Sequence, residues 1–490
     1  SFCEYEYRLR AKRDTDTIFQ IKTSTVVMMM SIYKQLANQF IEDIQHAKLC
    51  EGDKMPSLRQ LSQQHSVSMS TAVSCYQELE SQGWIQSRPQ AGYFVAPRQH
   101  SHQTPELKQF VSTVSTVRNF NSVHSALRGP LGVSSTANDE QAGTELERSF
   151  RRALRRMGDR LNHYPDVQGE PLLRQALSTH FSKVGVHFSA SDLVVTAGCM
   201  SALKAAIESC TETGDAIAIS SPCFNGIIEL LGQMARKIVE IPSLNDGIDL
   251  AQLEAHFQQG NVKAGIFCTS HMNPQGISMS AQQKQTLAHL ANQYQIPVIE
   301  DDVYLELSYS DHTPLPAKYY DQAGYILWCG SVSKSLSPGY RLGWCLPGRY
   351  QSTYQGQFGA SCYGVSTPVQ LAVADFIDSG QYAKQLRRRK QKLLSLRKDY
   401  LDYLTAQLPK HIKISNPQGG MVLWIQAPGL DSKQLQSEIE THKIDIRLGH
   451  LFTTLDLYSD CVRINMGYPI EGRAREELDT LIDLLITLSD

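Results

Sequence analysis

Apolar residues recur every four positions at Ile32, Leu36, Phe40 and Ile44, which places them on one face of a helix. Pro56 and Ser57 open a second helical stretch, SLRQLSQQH, with Ser57 in the capping position. Val67 and Ser68 open a third, in which Ala72, Val73, Tyr76 and Leu79 form the stripe to be buried. Gly83 stands where a helix C-terminus needs a positive φ. Trp84–Ser87 and Gly92–Val95 then read as two short strands around the turn Arg88-Pro89-Gln90-Ala91. Periodicity fades over residues 98–125, which are rich in Ser, Gln, Thr and His and read as a linker with room for one short helix. The pattern then changes. Seven short apolar runs follow: Leu193–Ala197, Ala216–Ile219, Lys237–Ile241, Ala264–Cys268, Pro297–Glu300, Tyr325–Cys329 and Leu342–Leu346. Helix-like stretches separate most of them, so an α/β fold with a largely parallel sheet covered on both faces is expected. A long helix over Tyr382–Leu404 leads into an α+β region with a strand at Met421–Gln426.

Composition narrows the class without naming it. The 490 residues are 41% hydrophobic and 20% charged, enough for large cores and far from a disordered composition. Length alone allows about three domain-sized units. With 47 Lys and Arg against 49 Asp and Glu, no global charge announces nucleic acid. No apolar run reaches the ~18 residues that a membrane span needs, so no membrane partner is expected. The eleven cysteines form no C-x-x-C pair, which argues against a zinc ribbon and predicts no metal site. Unpatterned cysteines fit a reducing, cytoplasmic setting. Residues 1–30 lack the apolar core of a signal peptide and read as an upstream extension.

Three helices followed by a β-hairpin, over residues 31–97, make a winged helix-turn-helix pattern. Ser57, Ser68, Ser70 and Thr71 sit at helix N-termini, where hydroxyls and free N–H groups can hold phosphates. Arg59 and Arg88 are the best-placed cations, although a surface salt bridge would also account for Arg59. Residues 31–100 carry six Lys and Arg and six Asp and Glu, and the third helix has neither Lys nor Arg. Electrostatic affinity per unit is therefore modest, and two copies on one DNA site would be needed. The GD-x-x-PS-x-R start, the VS-x-S-T helix entry, the ELE-x-x-G exit and the G-Y-F-V wing make this segment resemble the GntR-type DNA-binding domain.

Four strings in the second part carry chemistry, each at the C-terminal end of an expected strand, where open α/β sheets bind ligands. In Gly330-Ser331-Val332-Ser333-Lys334, with Arg341 seven positions later, a lysine amine stands among phosphate-binding groups, Ser331, Ser333 and Arg341. That combination suits a Schiff-base cofactor carrying a phosphate. In Glu300-Asp301-Asp302-Val303-Tyr304, Asp301 can pair with a pyridine nitrogen and Tyr304 can bond a ring hydroxyl; capping of the next helix is the plainer role. Asn273, in His271-Met272-Asn273-Pro274-Gln275-Gly276, can donate to the same ring oxygen, or simply shape a turn. Gly198, Cys199 and Met200 form a strand-to-helix turn whose N–H groups suit a phosphate.

Together these strings resemble the class I/II aminotransferases, of pyridoxal phosphate fold type I, from about residue 126 to 490. The resemblance implies pyridoxal 5'-phosphate on Lys334. It implies that Phe224 stacks on the cofactor ring, with core packing as its plainer role. It implies that Arg463 clamps a substrate α-carboxylate, with a structural salt bridge as the alternative. It also implies that Tyr164 reaches the phosphate of a partner subunit, and hence a homodimer. Joined to a GntR-type reader, the whole chain resembles the MocR subfamily of transcriptional regulators. That resemblance implies an operator-binding protein that senses an amino acid or related amine through an aldimine at Lys334. An active aminotransferase with an accessory DNA-binding domain is the alternative, because the residues of a half-reaction are all present. His163 and His271 read as neighbours of the site, and Arg387-Arg388-Arg389-Lys390 as a solvated helix face.

Overall fold

The computed structural model describes residues 32–45, 48–50, 52–81, 84–88, 91–96, 103–116, 128–137, 139–310 and 313–489. The expected extension over residues 1–30, the helix stop at Gly83 and the turn residues Pro89 and Gln90 lie outside them. The chain divides into two compact units, residues 1–101 and 102–490.

The first unit has helices Ile32–Gln45, Leu58–Gln64 and Met69–Ser81, then strands β1 (Ile85–Arg88) and β2 (Gly92–Val95). The strands pair antiparallel, Ile85 opposite Val95. One small core holds Leu36, Phe40, Ile44, Leu61, Ala72, Cys75, Tyr76 and Leu79. Ile32 belongs to the expected stripe but is 62% exposed, because it is the first residue of its helix and lies beyond that core. Tyr76 is buried and its phenol donates to the Pro56 carbonyl at 2.7 Å, so its one polar atom is satisfied. Ser57 caps the second helix in a reciprocal box. The Gln60 N–H donates to its hydroxyl at 3.3 Å, and the Ser57 N–H donates to Gln60 Oε1 at 2.8 Å.

The second unit is built on a nine-stranded sheet: β3 (Val114–Thr116), β4 (Val194–Thr196), β5 (Ala216–Ser221), β6 (Lys237–Leu244), β7 (Gly247–Ile248), β8 (Ala264–Phe267), β9 (Val298–Asp301), β10 (Ile326–Ser331) and β11 (Gly343–Leu346). Their order is β3-β6-β5-β8-β9-β10-β11-β4, with β7 on β6. The run β6-β5-β8-β9-β10 is parallel, and β11 closes onto β10 and β4 antiparallel. Each of the seven apolar runs is a strand. Both faces are covered, as the alternation along β5 shows: Ile217 and Ile219 enter one core, Ala216 and Ala218 another. A smaller antiparallel sheet follows, in the order β12 (Lys413–Ile414), β13 (Val422–Gln426), β15 (Cys461–Asn465), β14 (Arg447–Leu448). It packs in its own core with residues of the helices Gln381–Gln407 and Gly472–Leu488.

The linker region differs from a free tether. Residues 103–116 lie against the second unit. The Ile414 N–H donates to the Gln103 carbonyl at 3.0 Å, and the Glu106 N–H donates to Gln426 Oε1 at 2.8 Å. Ser112 is buried against Gln252 and His256, and β3 adds to β6 with Val114 opposite Val239. Polar residues made this stretch look unstructured, yet hydrogen bonds from both its backbone and its side chains fasten it. No described helix is long and apolar enough to cross a membrane.

Leu61 is fully buried in the core of the first unit, so Leu61→Ala should cost about 2–5 kcal/mol. In urea unfolding of the full chain, the transition of the first unit should move to lower urea while that of the second stays in place.

Candidate functional site

At the end of β10 the chain turns into the short helix Val332–Ser335, which carries Lys334. The Ser331 hydroxyl accepts the Ser333 N–H at 3.0 Å and lies 2.7 Å from the Ser333 hydroxyl and 3.0 Å from the Leu342 carbonyl. Two side chains of the helix Gln381–Gln407 brace the same turn. Arg389 Nη1 donates to the Lys334 carbonyl at 2.8 Å, and the Tyr382 phenol lies 2.6 Å from Ser335 Oγ and 2.5 Å from Glu306. Arg389 therefore faces the site, unlike the solvated run expected there. Its basic neighbours hid it, because charge pattern alone does not say which member of a run turns inward.

The Lys334 amine donates to the Ser134 carbonyl at 2.6 Å and stands 5.9 Å from the Tyr304 ring centre. Burial and the Arg463 guanidinium pull its pKa down to about 8, against the attraction of Asp301. Asp301 ends β9 and is buried; burial, with Asp302 beside it, pushes its carboxyl up to about 6. The Cys199 thiol lies 3.3 Å from Asp301 Oδ1. Tyr304 is buried and raised to about 12, by burial.

Asn273 is buried and its side-chain oxygen has no partner. Two residues earlier, burial holds the His271 pKa down to about 3, so its ring is neutral near pH 7. The Gly419 and Gly420 backbones lie against that ring and its Cβ. His163 is exposed.

The turn after β4 carries Gly198, Cys199 and Met200. Gly198 has φ +88°, and a Cβ there would stand 2.6 Å from Arg341 Nη2. Glycine is thus required both by the backbone and by the approaching guanidinium. Met200 is half-buried against the main core, as is Phe224, whose ring lies over Gly226. Cys199 offers more than a backbone N–H, since its thiol touches the carboxylate expected to serve a cofactor ring.

Arg463, on β15, is 4% exposed. Its guanidinium donates to Ser134 Oγ at 2.7 Å and to the Gly132 carbonyl, and its Nε has no partner. Burial, with Arg447 nearby, lowers its pKa to about 10. The segment 128–137 is laced across this place. Asn465 Nδ2 donates to the Pro130 and Ser135 carbonyls, and the Gly129 N–H donates to Asp445 at 2.9 Å. A Cβ on Gly132 would collide with the Asp445 carboxylate. Sequence reasoning missed this segment; its small residues, GPLGVSS, are the signal that could have found it. The structure thus brings Lys334, Asp301, Tyr304 and Arg463 together. Tyr164 is 90% exposed, with its ring beside Tyr363 at 6.4 Å.

In the first unit, Ser68 heads the helix Met69–Ser81. Its hydroxyl accepts the Thr71 N–H at 3.1 Å and lies 2.8 Å from the hydroxyls of Ser70 and Thr71. Ser57, Arg59, Ser68, Ser70 and Arg88 are exposed. The Arg88 guanidinium stacks 4.4 Å from the Phe94 ring centre, which fixes it on the hairpin.

Comparison with known proteins adds to this geometry. The family model described as aminotransferase class I and II matches residues 130–476, and that of bacterial regulatory proteins of the gntR family matches residues 32–95. An uncharacterized HTH-type transcriptional regulator of Escherichia coli (strain K12), YdcR, is 32% identical over 466 residues, covering 93% of this chain and 99% of its own. The crystal structure of a multiple substrate aminotransferase from Thermococcus profundus shares the fold with a TM-score of 0.68 at 22% identity, over 74% of this chain and 92% of its own. A Pyrococcus horikoshii kynurenine aminotransferase in complex with PMP gives 0.66 at 23% identity, over 74% and 90%.

The Lys334 amine should titrate near pH 8 in the protein without added cofactor. The pH dependence of trinitrobenzenesulfonate modification, followed on the Lys334 peptide by mass spectrometry, should have its midpoint there, with exposed lysines modified only at higher pH. A midpoint near 10.5, the ordinary lysine value, would contradict the crowded environment described.

Proposed function

The chain belongs to the aminotransferase class I and II family and carries a gntR-family regulatory domain, and from that premise we propose that it is a transcriptional regulator. It binds operator DNA through the first unit and senses an amino acid or related amine at Lys334 with pyridoxal 5'-phosphate. The observation that carries this reading is the shared presence, in one chain, of an exposed hydroxyl-capped helix and an amine of lowered pKa between Arg463 and Asp301.

The residues fit that cofactor. Asn273 ends in a buried amide oxygen with no partner, and Asp301 is a buried carboxyl that burial and Asp302 hold above the usual range, a group that a cationic ring N–H would suit. Gly198 lets the Arg341 guanidinium lie against the turn whose N–H groups would hold the phosphate. When bound, pyridoxal phosphate supplies an aldehyde that condenses with amines and a ring that accepts electrons. Lys334 provides the amine for attachment. Its pKa near 8 leaves a useful unprotonated fraction at neutral pH. Asp301 would hold a proton on the pyridine nitrogen. Asn273 and Tyr304 would bond the ring oxygen, and Phe224 would supply an apolar face to the ring. Ser331, Ser333, Arg341 and the N–H groups of Gly198, Cys199 and Met200 take the phosphate. Arg463 clamps the carboxylate of the incoming amino acid, and Ser134 must release it. Tyr164, exposed in its own chain, serves the phosphate of a partner, so the working unit is a homodimer.

On the DNA side, Ser57, Ser68, Ser70 and Thr71 hold phosphates at the two helix starts, while Arg59 and Arg88 add charge. Ligand binding at Lys334 changes how the two readers of the dimer meet their half-sites. The second reading, a working aminotransferase, is favoured by the complete set Lys334, Asp301 and Arg463.

The purified chain mixed with pyridoxal phosphate should gain a visible absorption band that Lys334→Ala lacks. Arg463→Ala should keep the band and weaken the response to α-amino acids about tenfold or more. Stoichiometric release of keto acid from an added amino acid would favour the enzyme; a spectral change without release favours the sensor. Selection from random duplex DNA should enrich a repeated half-site with the full chain, and the combined variant Arg59→Ala, Ser68→Ala, Thr71→Ala should lose that enrichment while keeping the visible band.

A further inference from the structure

A cavity of about 340 Å³ lies apart from the lysine site: Lys334, Asp301, Tyr304, Asn273 and Arg463 are all absent from its lining. Its size is within the range of small-molecule sites. One wall is the strap Thr104–Lys108, and another is the turn Ser415–Gln418. Ser243 and Gln275 form the interior, with Trp424 and Tyr458 beside them.

Gln275 is 5% exposed and its Nε2 donates to Ser243 Oγ at 3.1 Å. Ser243 Oγ gives its own proton to the Ser221 carbonyl at 2.9 Å. The serine can therefore only accept from Gln275, which fixes which way the amide points. That leaves Gln275 Oε1 as a buried acceptor with no partner. A buried unpaired acceptor is costly, and native structures usually provide it with a donor. Charge is already neutralised around the strap. Glu106 pairs with Lys413 at 2.5 Å and Lys108 with Asp460 at 3.8 Å. A charged guest would gain no counter-ion here.

We propose that this cavity is a second binding site, for a small uncharged molecule bearing O–H or N–H donors, of the polyol or carboxamide type, which donates to Gln275 Oε1. The aromatic side chains of Trp424 and Tyr458 supply apolar contact. Two features give such a guest leverage. One wall is the stretch of chain that follows the DNA-reading unit in sequence, and Gln275 stands two residues after Asn273. Occupancy favours the docked strap. Binding itself is independent of the regulator reading; its consequence for DNA binding rests on that reading.

The test uses the full chain with pyridoxal phosphate fixed on Lys334 by borohydride, and glucose, myo-inositol and nicotinamide as probes. Saturation-transfer NMR should find saturable binding of at least one probe below about 10 mM. Gln275→Leu, which removes the acceptor, should weaken that binding about tenfold or more. Thr104→Trp, which fills the cavity from the exposed strap, should do the same without touching the interior. Absence of saturable binding by all three probes would overturn the proposal. So would binding that both variants leave within about twofold of the parent. Binding seen before borohydride treatment and lost after it would place the probe at Lys334 and also overturn it. A failed cofactor reading shows separately, as no visible band before reduction, and leaves the NMR readout intact.

Discussion

Everything in the larger unit turns on keeping one lysine amine in a crevice beside two guanidinium groups and one buried carboxylate. Arg463 and Arg341 both disfavour a proton on Lys334, and Asp301 favours it; burial decides the balance, and the amine comes out near 8. An amine poised so close to neutrality is a ready nucleophile toward a carbonyl. The turn that carries it is held by the Ser331 cap and by Arg389 and Tyr382 of the long helix. Fixing the backbone leaves the amine little freedom beyond its own side-chain rotation.

The same constraint explains the glycines around it. Arg341 reaches the turn after β4 only because Gly198 has no side chain. Gly343 lets the Gly198–Cys199 backbone lie directly against β11. Gly132 allows the segment 128–137 to cross Asp445 and bring Ser134 to both Lys334 and Arg463. Gly198 and Gly132 are close approaches of backbone to charged groups and Gly343 one of backbone to backbone, and a methyl group at any of them would push the cluster apart.

Much of this was legible in the sequence because strand ends carry it. The seven apolar runs are all strands of the main sheet, and the motif residues fall where those strands stop. The helix periodicity of the first unit was equally clear, except at Ile32, where a terminal residue outruns its core, and at Val73, which is half-buried and outside that core. What stayed hidden depends on contacts between positions far apart in the chain. Nothing in RRRK distinguishes Arg389, which turns inward, from its neighbours. The Cys199 thiol meets Asp301 across 102 positions. Residues 103–116 look like a tether because their attachments to Gln252, His256, Lys413 and Gln426 are polar and non-local. Tyr164 lies outside the lysine cluster of its own chain, and the role implied for it needs a second copy.

In the proposed function, chemistry at Lys334 governs DNA binding. The most direct measurement is the affinity of the full chain, with pyridoxal phosphate, for a DNA site selected from random sequence, taken across a panel of amino acids and amines. At least one compound should change that affinity several-fold in the parent chain, while none should do so in Lys334→Ala. Affinity that no compound alters, together with keto acid released on mixing, would contradict it and leave an aminotransferase that happens to carry a DNA-binding domain.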